Sequence, residues 1–369
     1  MESIPSIHIG LMIWKYRGFR MPTILDVAVS AGVSKTTVSR YLNGQGPISE
    51  ETAERIRATI SRLQYSPNHF AQGMRTSRTK TIGIVIPDYA NPFYPELIKG
   101  IEDYARKHGY VTQLSSTHAD PASELESLRE MVRRHIDGIV FCSYGRAKRD
   151  IDYLVEIADR MPVVVMDPLV RKEPLSYVVT AGRAATKEAV SYLVSIGRKR
   201  IGYIKGPSKR FATNDRFEGY KDGLVAQGLP YDKDLVVEAD FSLRSGYAAA
   251  EAILRSGMPV DSVMTATDLM AIGAIKAFNH HRVAIPQRIA VVGFDDISLC
   301  RIIEPSLTTI AQPIAALGTA AARIIIDAID SENMEKRQIS MKGELIVRKS
   351  SNPDYRDEFP SDTGSFGIH

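Results

Sequence analysis

Lys35, Thr36, Ser39, Arg40 and Asn43 are spaced i, i+1, i+4, i+5 and i+8. On a helix this spacing sets hydroxyls, an amide and two cations along one stripe. Such a stripe suits a DNA major groove, where side chains near the helix N-terminus reach base edges and small hydroxyls bind phosphate. Lys35, Thr36 and Arg40 are the candidates for reading bases; Thr37, Ser39 and Asn43 are the candidates for fixing register on phosphates. A polar stripe alone is also what a solvated helix face looks like, so the surrounding residues must decide.

A second set stands just after apolar, strand-like runs. Asp88, Asn91, Phe93 and Tyr94 follow the run 81–86, and Asp167 follows Val163-Val164-Val165-Met166. Arg210, Asn214 and Arg216 follow Ile204, Phe241 follows Val236-Val237, Asp268 follows Met264, and Asp295 follows Phe294. Carboxylates and guanidinium groups around aromatic faces suit a polyhydroxylated ligand, because each hydroxyl must be paired once it is desolvated.

The elements that position the first set are short helices. Thr23-Ile24-Leu25-Asp26 matches a capping box, in which the hydroxyl and the carboxylate three residues on satisfy open backbone N–H groups. Gly32 supplies a sharp turn and Ser34 an N-cap for the next helix, whose Val38 and Leu42 face inward toward Val27, Ala28 and Ala31. Ser49 caps a third helix with Glu50 and Glu51 in its first turn and Ala53, Ile56, Ile60 and Leu63 as its apolar stripe. The segment from Tyr65 to Arg75 reads as a linker with one or two helical turns, too short to be stable by itself. From Thr81 onward, apolar runs at 81–86, 136–141, 163–166, 200–204, 262–265 and 289–294 alternate with helical periodicity. That alternation predicts buried parallel strands in a doubly wound α/β architecture, split into two similar halves near 180–182. Ligands of such a layout bind beyond the carboxyl ends of the strands, which for two facing lobes is the cleft between them.

At 369 residues the chain exceeds what one core encloses. The net charge of +4 is modest, but residues 22–80 hold eight Lys/Arg against four Asp/Glu, so positive potential gathers at the helical end. Cys142 and Cys300 are single and without metal or redox spacing, which fits two buried thiols in a reducing cytosol. The apolar run 7–14, containing the single tryptophan Trp14, precedes Lys15, Arg17 and Arg20. That is the reverse of a secretory signal and too short to cross a membrane, so residues 1–20 read as a disordered extension ahead of Met21. No Gly-rich phosphate loop or nucleophile elbow occurs, and the adjacent His280 and His281 are expected to point different ways. No enzyme activity, cofactor or metal is expected. A secreted solute receptor would need a signal peptide and would not carry the helical head, and a general nucleoid protein would not carry the long core.

The string Asp-Val-Ala-x-x-Ala-Gly-Val-Ser-x-x-Thr-Val-Ser-Arg-x-Leu-Asn, from Asp26 to Asn43, resembles the N-terminal signature of the lactose-repressor (LacI/GalR) family of bacterial transcription regulators. The resemblance extends to 344–348. It implies an all-α helix-turn-helix head piece at 21–65, a hinge at 66–80, and a periplasmic-binding-protein-like core of two doubly wound lobes at 81–350. The lobes are expected at about 81–180 with 312–335, and about 181–306 with 340–350, the chain crossing between them three times, and a polar tail at 351–369. In the family the hinge, paired across a dimer, enters the minor groove and kinks the DNA with an apolar side chain. Asn68 and Met74 fall in that segment here, Met74 where Leu is usual. The family's effector contacts match Phe93, Tyr94, Asp167, Arg216 and Asp295, with Gln312 near the lobe boundary and Thr267 where some sugar-binding members carry Asn. The resemblance implies a cytoplasmic, dimeric regulator, usually a repressor, on a near-palindromic operator. Its effector is a sugar, or a sugar acid if Arg210 points inward, with a purine-like compound as the alternative; inducer and corepressor action both stay open.

Overall fold

The computed structural model describes residues 22–65, 78–143, 148–166, 174–208 and 210–356. The extension at 1–20, Asn68, Met74, Asp167 and the tail beyond 356 lie outside the described residues. The chain forms two compact units, one up to Ser77 and one from Arg78.

The first unit holds α1 (Ile24–Ala31), α2 (Lys35–Leu42) and α3 (Glu50–Leu63). Thr23 closes the expected capping box: its N–H donates to Asp26 Oδ2 at 2.7 Å and its hydroxyl accepts the Asp26 N–H at 3.3 Å. Gly32 ends α1 at φ +67°, a left-handed turn that costs glycine nothing. Ser34 Oγ accepts the Thr37 N–H at 3.0 Å, which starts α2 immediately. Val27, Ala28, Ala31, Val38 and Ile56 form the buried centre.

In the second unit, two six-stranded sheets each form the middle layer of a lobe. The first runs β11 (Gln338–Met341), β5 (Ser176–Thr180), β4 (Val163–Val165), β3 (Gly138–Phe141), β1 (Thr81–Ile86), β2 (Val111–Ser116), all parallel. On β1, Ile82, Ile84 and Ile86 face one core, shared with α4 (Phe93–Lys107) and α11 (Ile314–Ser331), while Val85 faces another, shared with α5 (Pro121–Arg133) and α6 (Lys148–Ala158). This strict alternation, apolar on both faces, is why the run reads as continuously hydrophobic. The second sheet runs β12 (Glu344–Ile346), β10 (Thr308–Ala311), β9 (Ala290–Asp295), β8 (Ser262–Thr265), β6 (Ile201–Lys205), β7 (Val236–Glu238), with only β12 antiparallel. Its helices are α7 (Gly182–Ser195), α8 (Phe211–Ala226), α9 (Leu243–Arg255) and α10 (Asp268–His280).

The chain crosses between lobes three times, between β5 and α7, β10 and α11, and β11 and β12. Two boundaries differ from expectation. Ser340 and Met341 lie on β11, paired with β5 in the first sheet, so the first lobe extends past 335 and the last return follows Met341. The polar tail does not start at Ser351: its side chain is buried and hydrogen-bonded to Thr308 and Tyr192, because serine hydroxyls here close open hydrogen bonds beside β10. Among the described residues, no helix is long and apolar enough to cross a membrane.

Candidate nucleic-acid interface and ligand cleft

On α2, Lys35, Thr36 and Arg40 are exposed, as is Asn43 at its C-cap, while Val38 is buried and Thr37 and Ser39 are half-buried. Thr37 Oγ1 is 2.8 Å from Ser34 Oγ, and Asn43 Nδ2 donates to Ser39 Oγ at 3.4 Å. The cap chemistry therefore also orients these hydroxyls. Among the described residues, neither Lys35 nor Arg40 is in an ion pair with a carboxylate, and the ion pairs seen in the head run from Arg57 to Glu50 and Glu54 on α3.

Between the lobes lies a cleft of about 500 Å³, within the size range of small-molecule sites. Of the expected residues, Asp88, Phe93, Tyr94, Arg210, Arg216, Phe241 and Asp295 line it. Asp88 and Asn91 shape the loop after β1 by accepting the Ala90 and Phe93 N–H groups at 2.9 and 3.0 Å. Phe93 packs against the cores of both lobes and meets Tyr94 edge-on at 5.3 Å. The Arg210 guanidinium lies 5.2 Å over the Phe241 ring, so Arg210 does point inward. Asn214 donates to Ser208 O at 2.9 Å and does not line the cleft.

The polar centre of the cleft is Asp295 at the end of β9, 4% exposed. Gln312 Nε2 donates to its Oδ1 at 2.6 Å, and Arg216 Nη1 is 3.8 Å from the same oxygen. The guanidinium of Arg216 is held by donation to Ala266 O and by stacking 3.7 Å over the Phe294 ring. Burial pushes the Asp295 carboxyl up to about 7, while Arg216 and Gln312 pull it down. Asp295 and Asp296 have φ of +134° and +60°, backbone regions that non-glycine residues avoid. Three hydroxyls lining the cleft, Thr180, Thr213 and Thr267, have buried oxygens with no hydrogen-bond partner. An arriving hydroxyl, amide or carboxylate would pair them.

Two expectations are corrected. Asp268 does not face the cleft: it is fully buried and accepts hydrogen bonds from Ile297 N at 3.0 Å, Cys300 Sγ at 3.0 Å and Thr309 Oγ1 at 2.5 Å. It is the first residue of α10, and it fastens that helix to the strands beside it. His280 and His281 do not diverge, since their ring centroids are 5.1 Å apart. α10 ends at His280 and His281 leaves it as the C-cap, so the rotation between neighbours on a regular helix no longer separates them. Sequence reasoning missed Cys142, Ser143, Asp215 and Asp240, which also line the cleft. Cys142 and Ser143 follow β3 directly, and Asp240 lies two residues beyond β7, so the strand-end rule used for the others would have found them.

Comparison with known proteins agrees with this geometry. Residues 23–68 match the family described as bacterial regulatory proteins, lacI family, and residues 190–351 match the periplasmic binding protein-like domain. The ribose operon repressor of Halalkalibacterium halodurans is 32% identical over 331 residues, covering 90% of this chain and 97% of that protein. The HTH-type transcriptional regulator CelR of Thermobifida fusca is 33% identical over 345 residues, covering 90% and 98%. Among solved structures, a complex of the transcriptional regulator CelR with cellobiose is 31% identical over 89% of this chain and 99% of that one, with a TM-score of 0.69. The lac repressor dimer bound to operator and the anti-inducer ONPF matches with a TM-score of 0.81 and the same coverage, and at 24% identity it speaks to the fold. With a helix-turn-helix head and a two-lobed core in one chain, this protein belongs to the lacI family of bacterial regulatory proteins, which are DNA-binding regulators of transcription.

Proposed function

We propose that the chain acts in the cytoplasm as a dimeric repressor on a near-palindromic operator of about 14 to 20 base pairs, with half-sites in successive major grooves. Lys35, Thr36 and Arg40 read bases, and Thr37, Ser39 and Asn43 set register on phosphates. The effector is a small polyhydroxylated compound, a sugar or sugar derivative, held in the cleft, and the protein is a switch with no catalytic step. The observation that carries this reading is the buried Asp295, held between the half-buried Arg216 and Gln312, beside three hydroxyls without partners. Such groups are costly to leave dry and unpaired, and a ligand with several hydroxyls is what relieves them. Arg210, facing the cleft over Phe241, favours a ligand that also carries an acidic group.

Because the cleft is walled by both lobes, a ligand that prefers one lobe arrangement shifts the population toward it. The hinge at 66–80, with Asn68 and Met74, is the segment through which that shift reaches the DNA. The test is fluorescence anisotropy of the purified chain on an operator library at fixed salt, with and without a panel of sugars and sugar acids. The expected result is a palindromic site whose affinity changes by about tenfold or more, a coupling of the usual allosteric size, with one compound. Weak, sequence-blind binding that no compound alters would overturn the proposal.

A further inference from the structure

At the end of α10 remote from the cleft, His280 and His281 meet Glu251 of α9. One ligand atom from each of the three lies within 4.8 Å of the others. His281 Nε2 is 3.1 Å from Glu251 Oε1, and the Tyr247 hydroxyl is hydrogen-bonded to His280 Nδ1. Tyr247 and Glu251 are four apart on α9, so they share one face of that helix.

The helices that present these groups are fixed closely against each other. A Cβ on Gly246 would stand 2.3 Å from Met270 O, and one on Gly273 would stand 2.1 Å from Leu243 O, so only glycine permits the approach. Both histidines are exposed and Glu251 is half-buried, which leaves the cluster open to solvent while its carboxylate is anchored. The C-terminal end of a helix, where carbonyl groups point outward, favours positive charge.

We propose that Glu251, His280 and His281 form a binding site for a divalent transition-metal ion of the zinc type. Two imidazoles and one carboxylate make a nitrogen-rich donor set, which suits zinc, nickel or copper; calcium and magnesium require oxygen donors in larger number. The ion replaces the hydrogen bond between His281 and Glu251 and takes a lone pair from a ring nitrogen of each imidazole. Tyr247 is a positioning residue: its hydrogen bond to Nδ1 fixes the His280 ring, as outer partners of metal-bound histidines do. Three protein ligands leave a fourth position to water or to a group from another molecule. α10 is 13 residues long, so the site lies roughly 20 Å along it from Thr267 and Leu269, which line the cleft. It is a site separate from the effector's.

Zinc chloride titrated by calorimetry into the full-length, untagged chain, stripped with EDTA, tests this directly. The expected result is one zinc per chain at micromolar affinity, unaffected by excess magnesium. His281→Ala and Glu251→Gln should each weaken it by about tenfold or more, and Tyr247→Phe by less. His108→Ala, at an exposed histidine stacked on Tyr104 in the other lobe, should change nothing. Unchanged far-UV circular dichroism confirms that each variant is folded. Absence of zinc binding by the wild type overturns the proposal. Undiminished binding by a folded His280→Ala/His281→Ala variant overturns it equally, since the ion then sits elsewhere.

Discussion

Replacing Arg216 by Met keeps most of the side-chain volume and removes the charge next to Asp295. The Arg216 side chain is 12% exposed, its Nη1 is 3.8 Å from Asp295 Oδ1, and burial has pushed that carboxyl up to about 7 even with the cation beside it. Without Arg216 that carboxyl rises further and stays protonated across neutral pH. The sign follows from linkage. Above about pH 5 the unfolded chain holds no proton on Asp295 while the folded chain does, so stability falls as pH rises and levels off above the folded value. Between pH 6 and pH 8 the wild type, half-protonated near 7, loses about 1.4 kcal/mol, whereas the variant, protonated throughout, loses about 2.7 kcal/mol. The variant should therefore be about 1 to 2 kcal/mol further behind the wild type at pH 8 than at pH 6. A pH-independent loss adds to this, because the hydrogen bond to Ala266 O and the stacking on Phe294 also go. Urea unfolding of both proteins at the two pH values, followed by far-UV circular dichroism, measures the difference. Equal destabilisation at pH 6 and pH 8 would refute the electrostatic tie between Arg216 and Asp295.

Arg40→Ala should weaken operator binding by about 1 to 3 kcal/mol and relax the preference at one base position; an equal loss on every sequence, read by anisotropy, would mean that Arg40 contacts only phosphate. Thr213→Val removes a buried hydroxyl that has no partner, so thermal stability of the ligand-free chain should hold or rise by up to about 1 kcal/mol, while affinity for a hydroxylated effector falls. Gly293→Ala forces a Cβ to within 2.1 Å of Asp268 Oδ1 and 2.9 Å of Leu307, which should cost roughly 1 to 3 kcal/mol in the same melting assay. An unchanged melting temperature would show that the Asp268 cage can shift freely.

The head piece was legible almost residue by residue because its signals are local. The capping box at Thr23, the glycine turn at Gly32 and the N-caps at Ser34 and Ser49 each act within four residues, and each is formed. Six interior strands, β1, β3, β4, β6, β8 and β9, were legible for a related reason: burial on both faces makes them largely apolar runs, whereas the interior β5 and β10 carry serine and threonines and escaped that pattern. β2 and β11 left no such mark. They are edge strands with one side toward solvent, and Val111–Ser116 and Gln338–Met341 are mixed sequences that find their pairing only across the fold. The three crossings between lobes likewise depend on which sheet each late strand joins, which no local pattern specifies.

Asp268 and Asp295 show where a strand-end rule stops being enough. Both follow an apolar run, and nothing in the residue type separates them. Asp295 is the last residue of β9, and its unusual backbone at φ +134° belongs to the turn that delivers its carboxyl to Gln312 and the cleft. Asp268 comes three residues past β8, already on the first turn of α10, and the helical rotation turns it toward the sheet. There, space exists only because position 293, in the neighbouring strand, is glycine. The carboxyl that fills the space ties Ile297, Cys300 and Thr309 together, and burial raises its proton affinity, as it does for Asp295. One aspartate thus holds the frame against which the other, with Arg216, lines the cleft, and the distinction lies in a missing side chain 25 residues away in the sequence.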